Sequence, residues 1–261
     1  MRIKRERQWL HDLLSNHHVD VIVSDSRFGF THPASYSIFL THQLRIKSPF
    51  GKWIDSTLQK WNLSFINKFN ECWVVDFDGK NNLAGELSHP KNFPSIPTKY
   101  IGALSRFRHS ETAEGPLDLL VILSGPEPQR SIFEKLMLEN LGDFEGTFSF
   151  AKNFAGTELE KKMRSARLII SRTGYTTVMD IVAMKKKSVL IPTPGQSEQE
   201  YLGKYLTEKR IALCIPQKSF NLKSALARAA TFDYAEGDKF DFSHYERFVD
   251  QFLIDQNFLR R

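Results

Sequence analysis

The segment from Leu168 to Pro192 constrains the fold of this chain more than any other. Its sequence, LIISRTGYTTVMDIVAMKKKSVLIP, has apolar runs at both ends and helical spacing from Tyr175 to Lys186 between them. Two apolar strands joined by a helix predict a parallel β-α-β crossover. The turn at 171–174 then lies at the carboxyl end of a strand, where open α/β sheets bind ligands, and the free N–H groups of the helix start favour an anion.

One face of the predicted helix carries polar side chains. They are spaced i, i+3, i+4 and i+7 and therefore share one stripe. They are Thr173, Thr176, Thr177 and Asp180. Hydroxyls near the helix start suit a diphosphate, and a carboxylate about 9 Å further along suits a ribose diol because it only accepts hydrogen bonds. An ordinary amphipathic helix with a threonine-rich start has the same pattern, so the segment alone leaves both interpretations open.

The composition excludes some classes of protein and leaves others. A formal charge of +6 is compatible with an anionic ligand, an acidic membrane surface or nucleic acid; because the basic residues are scattered, we expect no nucleic-acid binding. Cys72 and Cys214 have no metal-ligand spacing and predict buried free thiols in a reducing compartment. No apolar run approaches the roughly 18 residues of a transmembrane helix, and no signal-peptide core is present. We expect a cytoplasmic protein, with peripheral contact at the inner membrane face as a further option.

The order of predicted elements favours two α/β domains. In the second half, strands and helices alternate from the apolar run at 117–123 to a final helix at 245–258, which predicts a doubly wound parallel sheet. The first half has about three strands and opens on a helix, which indicates an incomplete sheet. We predict an N-terminal domain over 1–107, a nucleotide-binding domain over 108–235, and a C-terminal helix over 236–261 that packs back on the first domain.

Three loops of the second half follow strands and should meet at one edge of its sheet. They are 124–130, 171–174 and 192–200, and they offer glycine for close approach, basic groups and side-chain amides. Neither GxGxxG after a strand nor GxxxxGK[ST] is present, which weighs against a dinucleotide dehydrogenase and a P-loop NTPase. The loops predict a nucleotide-diphosphate pocket with groups that can recognise a sugar.

The sequences SRTGYTTVMD (171–180) and IPTPGQSEQE (191–200) resemble the nucleotide-binding half of glycosyltransferase family 28, which includes peptidoglycan N-acetylglucosaminyl transferases. The resemblance implies a GT-B fold, with two Rossmann-like doubly wound α/β domains facing a cleft. Family members start with a strand and a glycine-rich loop that have no counterpart before Glu6, so the N-terminal domain is expected to be incomplete. The implied activity is transfer of a sugar from a nucleotide sugar, UDP-sugar favoured, to an unidentified glycan, lipid-linked or small-molecule acceptor, with no cofactor and no metal.

The resemblance also assigns roles to residues. It places the diphosphate against Arg172, Thr173 and Gly174, the ribose on Asp180, and the sugar on Gln199 and Glu200. The family has Ser, Glu and Gln where this chain has Thr173, Asp180 and Glu200, which leaves the sugar and the nucleotide open. The predicted nucleotide-sugar site is Gly125, Gln129, Arg130, Arg172, Thr173, Gly174, Thr176, Asp180, Gln196, Gln199 and Glu200.

The catalytic base is expected in the first half, where Asp25 and His42 are candidates because general bases are most often His or a carboxylate. A turn-capping role for Asp25 and a backbone-bonded role for His42 explain these residues as well. Two other functions stay open. One is a non-catalytic nucleotide-sugar binding protein or donor subunit, with a partner chain completing the N-terminal domain. The other is a related nucleotide-sugar hydrolase or epimerase.

A basic, aromatic helix is predicted over 49–69. Its apolar side chains recur at helical spacing, and lysines lie among them. Such a helix can lie on a membrane surface or dock on a sheet, and the sequence leaves both open.

Overall fold

The computed structural model describes residues 2–48, 51–107, 115–142, 144–152, 156–235 and 239–257. The chain forms two compact units, Met1–Ala103 with Asp241–Arg261, and Leu104–Phe240. Parts of several predicted features lie outside the described residues: the start of the helix at 49–69, the end of the helix at 245–258, and stretches at the domain boundaries near 108 and 236.

The first unit is built on a parallel four-stranded sheet in the order β1-β2-β3-β4. Its strands are β1 Val21–Asp25, β2 Tyr36–Thr41, β3 Glu71–Val74 and β4 Thr98–Tyr100. Its helices are α1 Arg2–Leu14, α2 Lys52–Ile66 and α8 His244–Asp255. Phe252 of α8 is buried, and its ring meets Trp73 of β3 edge-on with centroids 4.9 Å apart.

The turn-rich segment after β3 is organised by Asp76, whose side chain is fully buried. Each carboxylate oxygen accepts two hydrogen bonds, and a carboxylate suits this role because it only accepts. The donors are Phe77 N (2.8 Å), Leu83 N (2.8 Å), Ala84 N (2.9 Å) and Ser88 Oγ (2.6 Å). Asp76 therefore closes a segment that the sequence predicts only as a loop.

The second unit is a parallel five-stranded sheet in the order β6-β5-β7-β8-β9. Its strands are β5 Leu117–Ile122, β6 Phe148–Ala151, β7 Ala166–Ser171, β8 Ser188–Leu190 and β9 Leu213–Cys214. Its helices are α3 Gln129–Leu141, α4 Gly156–Ser165, α5 Tyr175–Ala183, α6 Ser197–Glu208 and α7 Leu222–Thr231. Buried Val, Leu and Ile of the central strands pack under α3 and α7. The strand order reverses its direction at β5, so the second half is doubly wound.

Two helix boundaries differ from the predicted ones. Helix α5 ends at Ala183 rather than Lys186, because Lys185 adopts a left-handed φ of 54° and Lys186 donates from Nζ to Ala166 O at 3.1 Å. Helix α6 begins at Ser197, inside the loop predicted over 192–200, which places Gln199 and Glu200 in its first turn. In the described ranges, no helix is long and apolar enough to cross a membrane.

Candidate functional site

A cavity opens at the point where the second sheet reverses its winding, between β5 and β7. In this strand order the connections leave in opposite directions there, and open α/β sheets bind ligands at that edge. Ser171 is in register with Ile122 of β5 and with Leu190 of β8, so the three following loops leave the sheet side by side. The geometry brings together the three loops that the sequence singles out.

The cavity has a volume of about 160 Å³, below the roughly 300–1,000 Å³ of a pocket for a drug-sized ligand. It therefore suits one part of a nucleotide sugar, such as the diphosphate. Its lining includes most of the predicted site: Gly125, Gln129, Arg172, Gly174, Thr176, Gln196 and Gln199. Gly125 has φ of 96°, a conformation that glycine adopts without strain.

Arg172 is the central charged group of this cavity, and its side chain is only 2% exposed. Its guanidinium has long contacts of 3.4–3.5 Å to the carbonyls of Gln129, Ile191 and Pro192, and lies 4.5 Å from the centre of the Phe133 ring. Within the described part of the chain, its Nε has no hydrogen-bond partner and the guanidinium forms no ion pair. Burial lowers the pKa of Arg172 to about 10. A buried charge without a counter-ion is costly, so an anion that enters the cavity beside Arg172 is stabilised by it.

The amino end of α5 adds uncharged donors beside Arg172. The N-cap is Gly174, which supplies no side-chain acceptor for the N–H groups of the first turn. Thr176 and Thr177 line the cavity, and the buried Oγ1 of Thr173 has no hydrogen-bond partner among the residues that the structure describes. N–H groups and hydroxyls at a helix start, next to a buried cation, suit a phosphate or diphosphate.

The loop between β8 and α6 is held by side chains of the helix that follows it. Gln199 accepts from Thr193 N through Oε1 at 2.9 Å and donates from Nε2 to Gln196 Oε1 at 2.6 Å. Glu200 accepts from Gly195 N at 3.0 Å. The amides that face the cavity are therefore fixed in place by hydrogen bonds within the loop.

Residues 120–239, which contain the whole lining of the cavity, match the model of the glycosyltransferase family 28 C-terminal domain. The match spans just under half of the chain, and we call the matched part the family 28 domain. A UDP-N-acetylglucosamine--N-acetylmuramyl-(pentapeptide) pyrophosphoryl-undecaprenol N-acetylglucosamine transferase of Methylorubrum extorquens strain PA1 is 31% identical over 103 residues. That match covers 39% of this chain and 26% of the relative. The transferase of the same name from Wolbachia pipientis wMel is 31% identical over 64 residues, 24% of this chain and 19% of that protein.

Solved glycosyltransferases share the fold over most of the chain. MurG of Acinetobacter baumannii superimposes with a TM-score of 0.57 at 12% identity, covering 95% of this chain and 77% of that one. The glycotransferase of kitacinnamycin superimposes with a TM-score of 0.59 at 13% identity, covering 90% of this chain and 74% of that one. The predicted α/β fold of GT-B type is confirmed.

Four predicted residues of the family 28 domain do not line the cavity. Thr173 is fully buried. Arg130 pairs with Glu127, with 2.7 Å between Nη2 and Oε1. Glu200 holds the loop and lines a separate apolar cavity beside α6. Asp180 is the fourth.

Asp180 is only 2% exposed, and its carboxylate is occupied by the segment that precedes β5. Oδ1 accepts from Ser105 Oγ at 3.0 Å and from Arg106 N at 3.1 Å. Oδ2 accepts from the Arg106 guanidinium, with 2.7 Å to Nη2 and 3.0 Å to Nε. In this structure Asp180 anchors a backbone segment, and its role as a ribose ligand stays a prediction.

Sequence reasoning missed several residues around the cavity. Ser124, Pro126 and Thr193 contribute to the lining; they lie in the predicted loops 124–130 and 192–200 but were not assigned individually to the site, and Thr177 was noticed on the helix stripe in the same way. The position of Thr193 in a loop after a strand was the available signal. Nothing in the sequence singled out Phe133, whose ring lies against the Arg172 guanidinium.

The two candidate bases lie in the first unit, at the carboxyl ends of neighbouring strands. Asp25 is the last residue of β1, is exposed, and is in register with Leu40 of β2. His42 directly follows β2 and is partly buried. Among the residues that the structure describes, no group of three His, Cys, Asp or Glu side chains could hold a metal ion.

Proposed function

We propose that this chain binds a nucleotide sugar, UDP-sugar favoured, through the cavity of its family 28 domain, and that the sugar is transferred to an acceptor without a metal. The observation that carries the proposal is Arg172, a buried guanidinium with a free Nε and no counter-ion in the described residues. A diphosphate supplies the missing negative charge. When the glycosidic bond breaks, the same cation and the start of α5 stabilise the departing diphosphate, which is the electrostatic role that catalysis requires.

The other lining groups have matching tasks in this proposal. Thr176 and Thr177 donate to phosphate oxygens, and Gln196 and Gln199 face the sugar hydroxyls. A ribose contact through Asp180 requires its pairing with Arg106 to open on donor binding.

Donor binding is tested by calorimetry with UDP and UDP-sugars on the wild-type chain, Arg172→Met and the control Arg130→Gln. Both variants lose one arginine, but only Arg172 lines the cavity. Since the hydrogen bonds of a guanidinium to a diphosphate contribute about 1.5–3 kcal/mol each and methionine loses all of them, Arg172→Met should show no binding in the millimolar range, while Arg130→Gln stays near the wild type. If no nucleoside diphosphate binds in the millimolar range, the proposal fails.

Transfer is a separate question, because the M. extorquens relative is matched over only 26% of its length. The names of the relatives describe a pyrophosphoryl-undecaprenol substrate, and we propose a lipid-linked acceptor for this chain, deprotonated by Asp25 or His42. The assay follows release of UDP by the purified chain, with and without a lipid-linked sugar acceptor, for wild type, Asp25→Asn and His42→Gln.

The outcomes of that assay separate the candidate functions. Acceptor-dependent release that one of the two variants abolishes supports transfer. Release without acceptor, with a free or epimerised sugar as product, identifies a hydrolase or epimerase. Donor binding without turnover identifies a non-catalytic binding protein or a donor subunit, and in the second case addition of a partner chain should restore activity.

A lipid-linked acceptor would bring the chain to a membrane, and we propose peripheral contact at the cytoplasmic face through α2. Trp53 is 90% exposed and Trp61 64% exposed, and Ile54 is exposed between them. Exposed tryptophan on an amphipathic helix favours the interface of a bilayer. Co-sedimentation with lipid vesicles should decrease for Trp53→Ser with Trp61→Ser and stay unchanged for Phe93→Ser, which removes an exposed aromatic ring elsewhere in the unit.

A further inference from the structure

The first unit contains a basic pocket that the proposed transfer does not use. It has a volume of about 740 Å³ and lies between α1, the loop before β2 and the segment after α2. Four of its residues are spaced i, i+3, i+4 and i+7 along α1 and share one stripe. The lining is Lys4, Arg7, Gln8, His11, Thr31, His32, Pro33, Lys68 and Asn70.

The lining carries positive charge that is not neutralised. Lys4, Arg7 and Lys68 come from two separate parts of the chain, and none of them forms an ion pair among the described residues. Arg2 and Arg27 of the same unit, by contrast, both pair with the buried Glu6. Among the described residues of the lining there is no Asp or Glu.

The uncharged members of the lining mostly present donors. His32 Nδ1 accepts from Ala34 N at 3.2 Å, so Nε2 carries the ring proton and can donate. Asn70 Oδ1 accepts from Ser37 N at 2.7 Å, which leaves its NH₂ group to donate. Gln8 is the exception, because its Nε2 already donates to Asp12 Oδ1 at 2.8 Å.

We propose that this pocket binds a phosphate-bearing molecule. Cations and N–H donors line the pocket from three sides: α1, the loop before β2 and the segment after α2. A tetrahedral oxyanion can accept hydrogen bonds from several directions at once, whereas a carboxylate accepts them in one plane. The volume lies within the roughly 300–1,000 Å³ of organic-ligand pockets, so the phosphate carries an organic group. A soluble phosphate ester and a phospholipid headgroup share this chemistry.

The test uses the full chain with two probes, inorganic pyrophosphate by calorimetry and phosphatidylglycerol vesicles, against phosphatidylcholine vesicles, by co-sedimentation. The variants are Arg7→Gln and Lys68→Gln, which remove charges from different elements of the pocket. The control is Arg5→Gln, which removes the same charge from the same helix at an exposed position outside the lining. Circular dichroism checks that each variant folds.

Arg7→Gln and Lys68→Gln should each lower the affinity for the probe that binds about tenfold, and Arg5→Gln should lower it by less than about twofold. Any pyrophosphate binding in the family 28 domain is common to all variants and cancels in this comparison. Pyrophosphate binding that depends on Arg7 and Lys68 identifies a soluble ester, and vesicle retention with the same dependence identifies a headgroup. The proposal is overturned if neither probe binds, or if Arg5→Gln weakens binding as much as the other two.

Discussion

Replacing Arg172 by methionine should make the ligand-free protein more stable and abolish its binding of a nucleoside diphosphate. Methionine retains most of the apolar stem and fills irregular space in a core. The substitution removes a guanidinium that is buried without a counter-ion among the described residues. Replacing a residue that serves binding rather than folding is expected to raise the stability of the ligand-free protein and to lower the affinity for the ligand.

The magnitude follows from the environment of Arg172. Burial lowers its pKa to about 10, and since one pKa unit corresponds to about 1.4 kcal/mol, keeping the side chain charged costs about 3 kcal/mol. Against this, methionine loses the contact with the Phe133 ring and three long contacts to carbonyl oxygens, together worth about 1–2 kcal/mol. We therefore expect the free energy of unfolding to rise by about 1–2 kcal/mol.

The assay is urea unfolding followed by far-ultraviolet circular dichroism, with and without UDP. All four tryptophans precede residue 74, so tryptophan fluorescence reports on the first unit and serves as an internal control. UDP at about one hundred times its dissociation constant should stabilise the wild type by about 2.7 kcal/mol and the variant not at all. The order of stability then reverses between the two conditions. A ligand-free variant less stable than wild type, or one that still binds UDP, would refute the reasoning.

Three further results are expected. Asp76→Asn replaces one accepting oxygen by an NH₂ group that faces two other donors. The free energy of unfolding, measured in urea by tryptophan fluorescence, should therefore fall by about 2–4 kcal/mol. A decrease below about 1 kcal/mol would contradict the hydrogen bonding described for Asp76. Burial raises the pKa of both Cys72 and Cys214 to about 12, so Ellman's reagent at pH 8 should react with neither thiol in the native chain and with both in guanidinium; fast native labelling would show that the sites open. Asn221→Ala removes the acceptor for Ser224 N at the start of α7 and should cost about 1 kcal/mol in thermal unfolding, against no change for an exposed Asn→Ala substitution outside a helix cap.

Features that depend on short-range sequence patterns were predictable. The strands of the second unit are short apolar runs between turn residues, and each of the three loops that follow them could be placed at one edge because parallel strands end together. The start of α5 at Tyr175 follows from Gly174 and the helical spacing after it. The resemblance to family 28 rests on these same segments.

The surroundings of Asp180 were not predictable from the same pattern. Helical spacing assigned it to the polar stripe of α5, but its partner Arg106 lies 74 positions earlier in the chain. A pairing between such distant residues leaves no local signal, and it decides whether the carboxylate faces a ligand or a neighbouring segment. The start of α6 was missed for a related reason, because no side chain caps it and the usual N-terminal signal is absent.

The hydrogen bonds of the loop between β8 and α6 have a consequence for the kinetics of binding. Gln199 and Glu200 already satisfy the N–H groups of Thr193 and Gly195 before any ligand arrives. A donor that meets this loop has no disordered segment to fold, so little conformational entropy opposes association. Association should be a single fast step, and differences between sugars should arise in the dissociation rate, which depends on the contacts made once the ligand is in place.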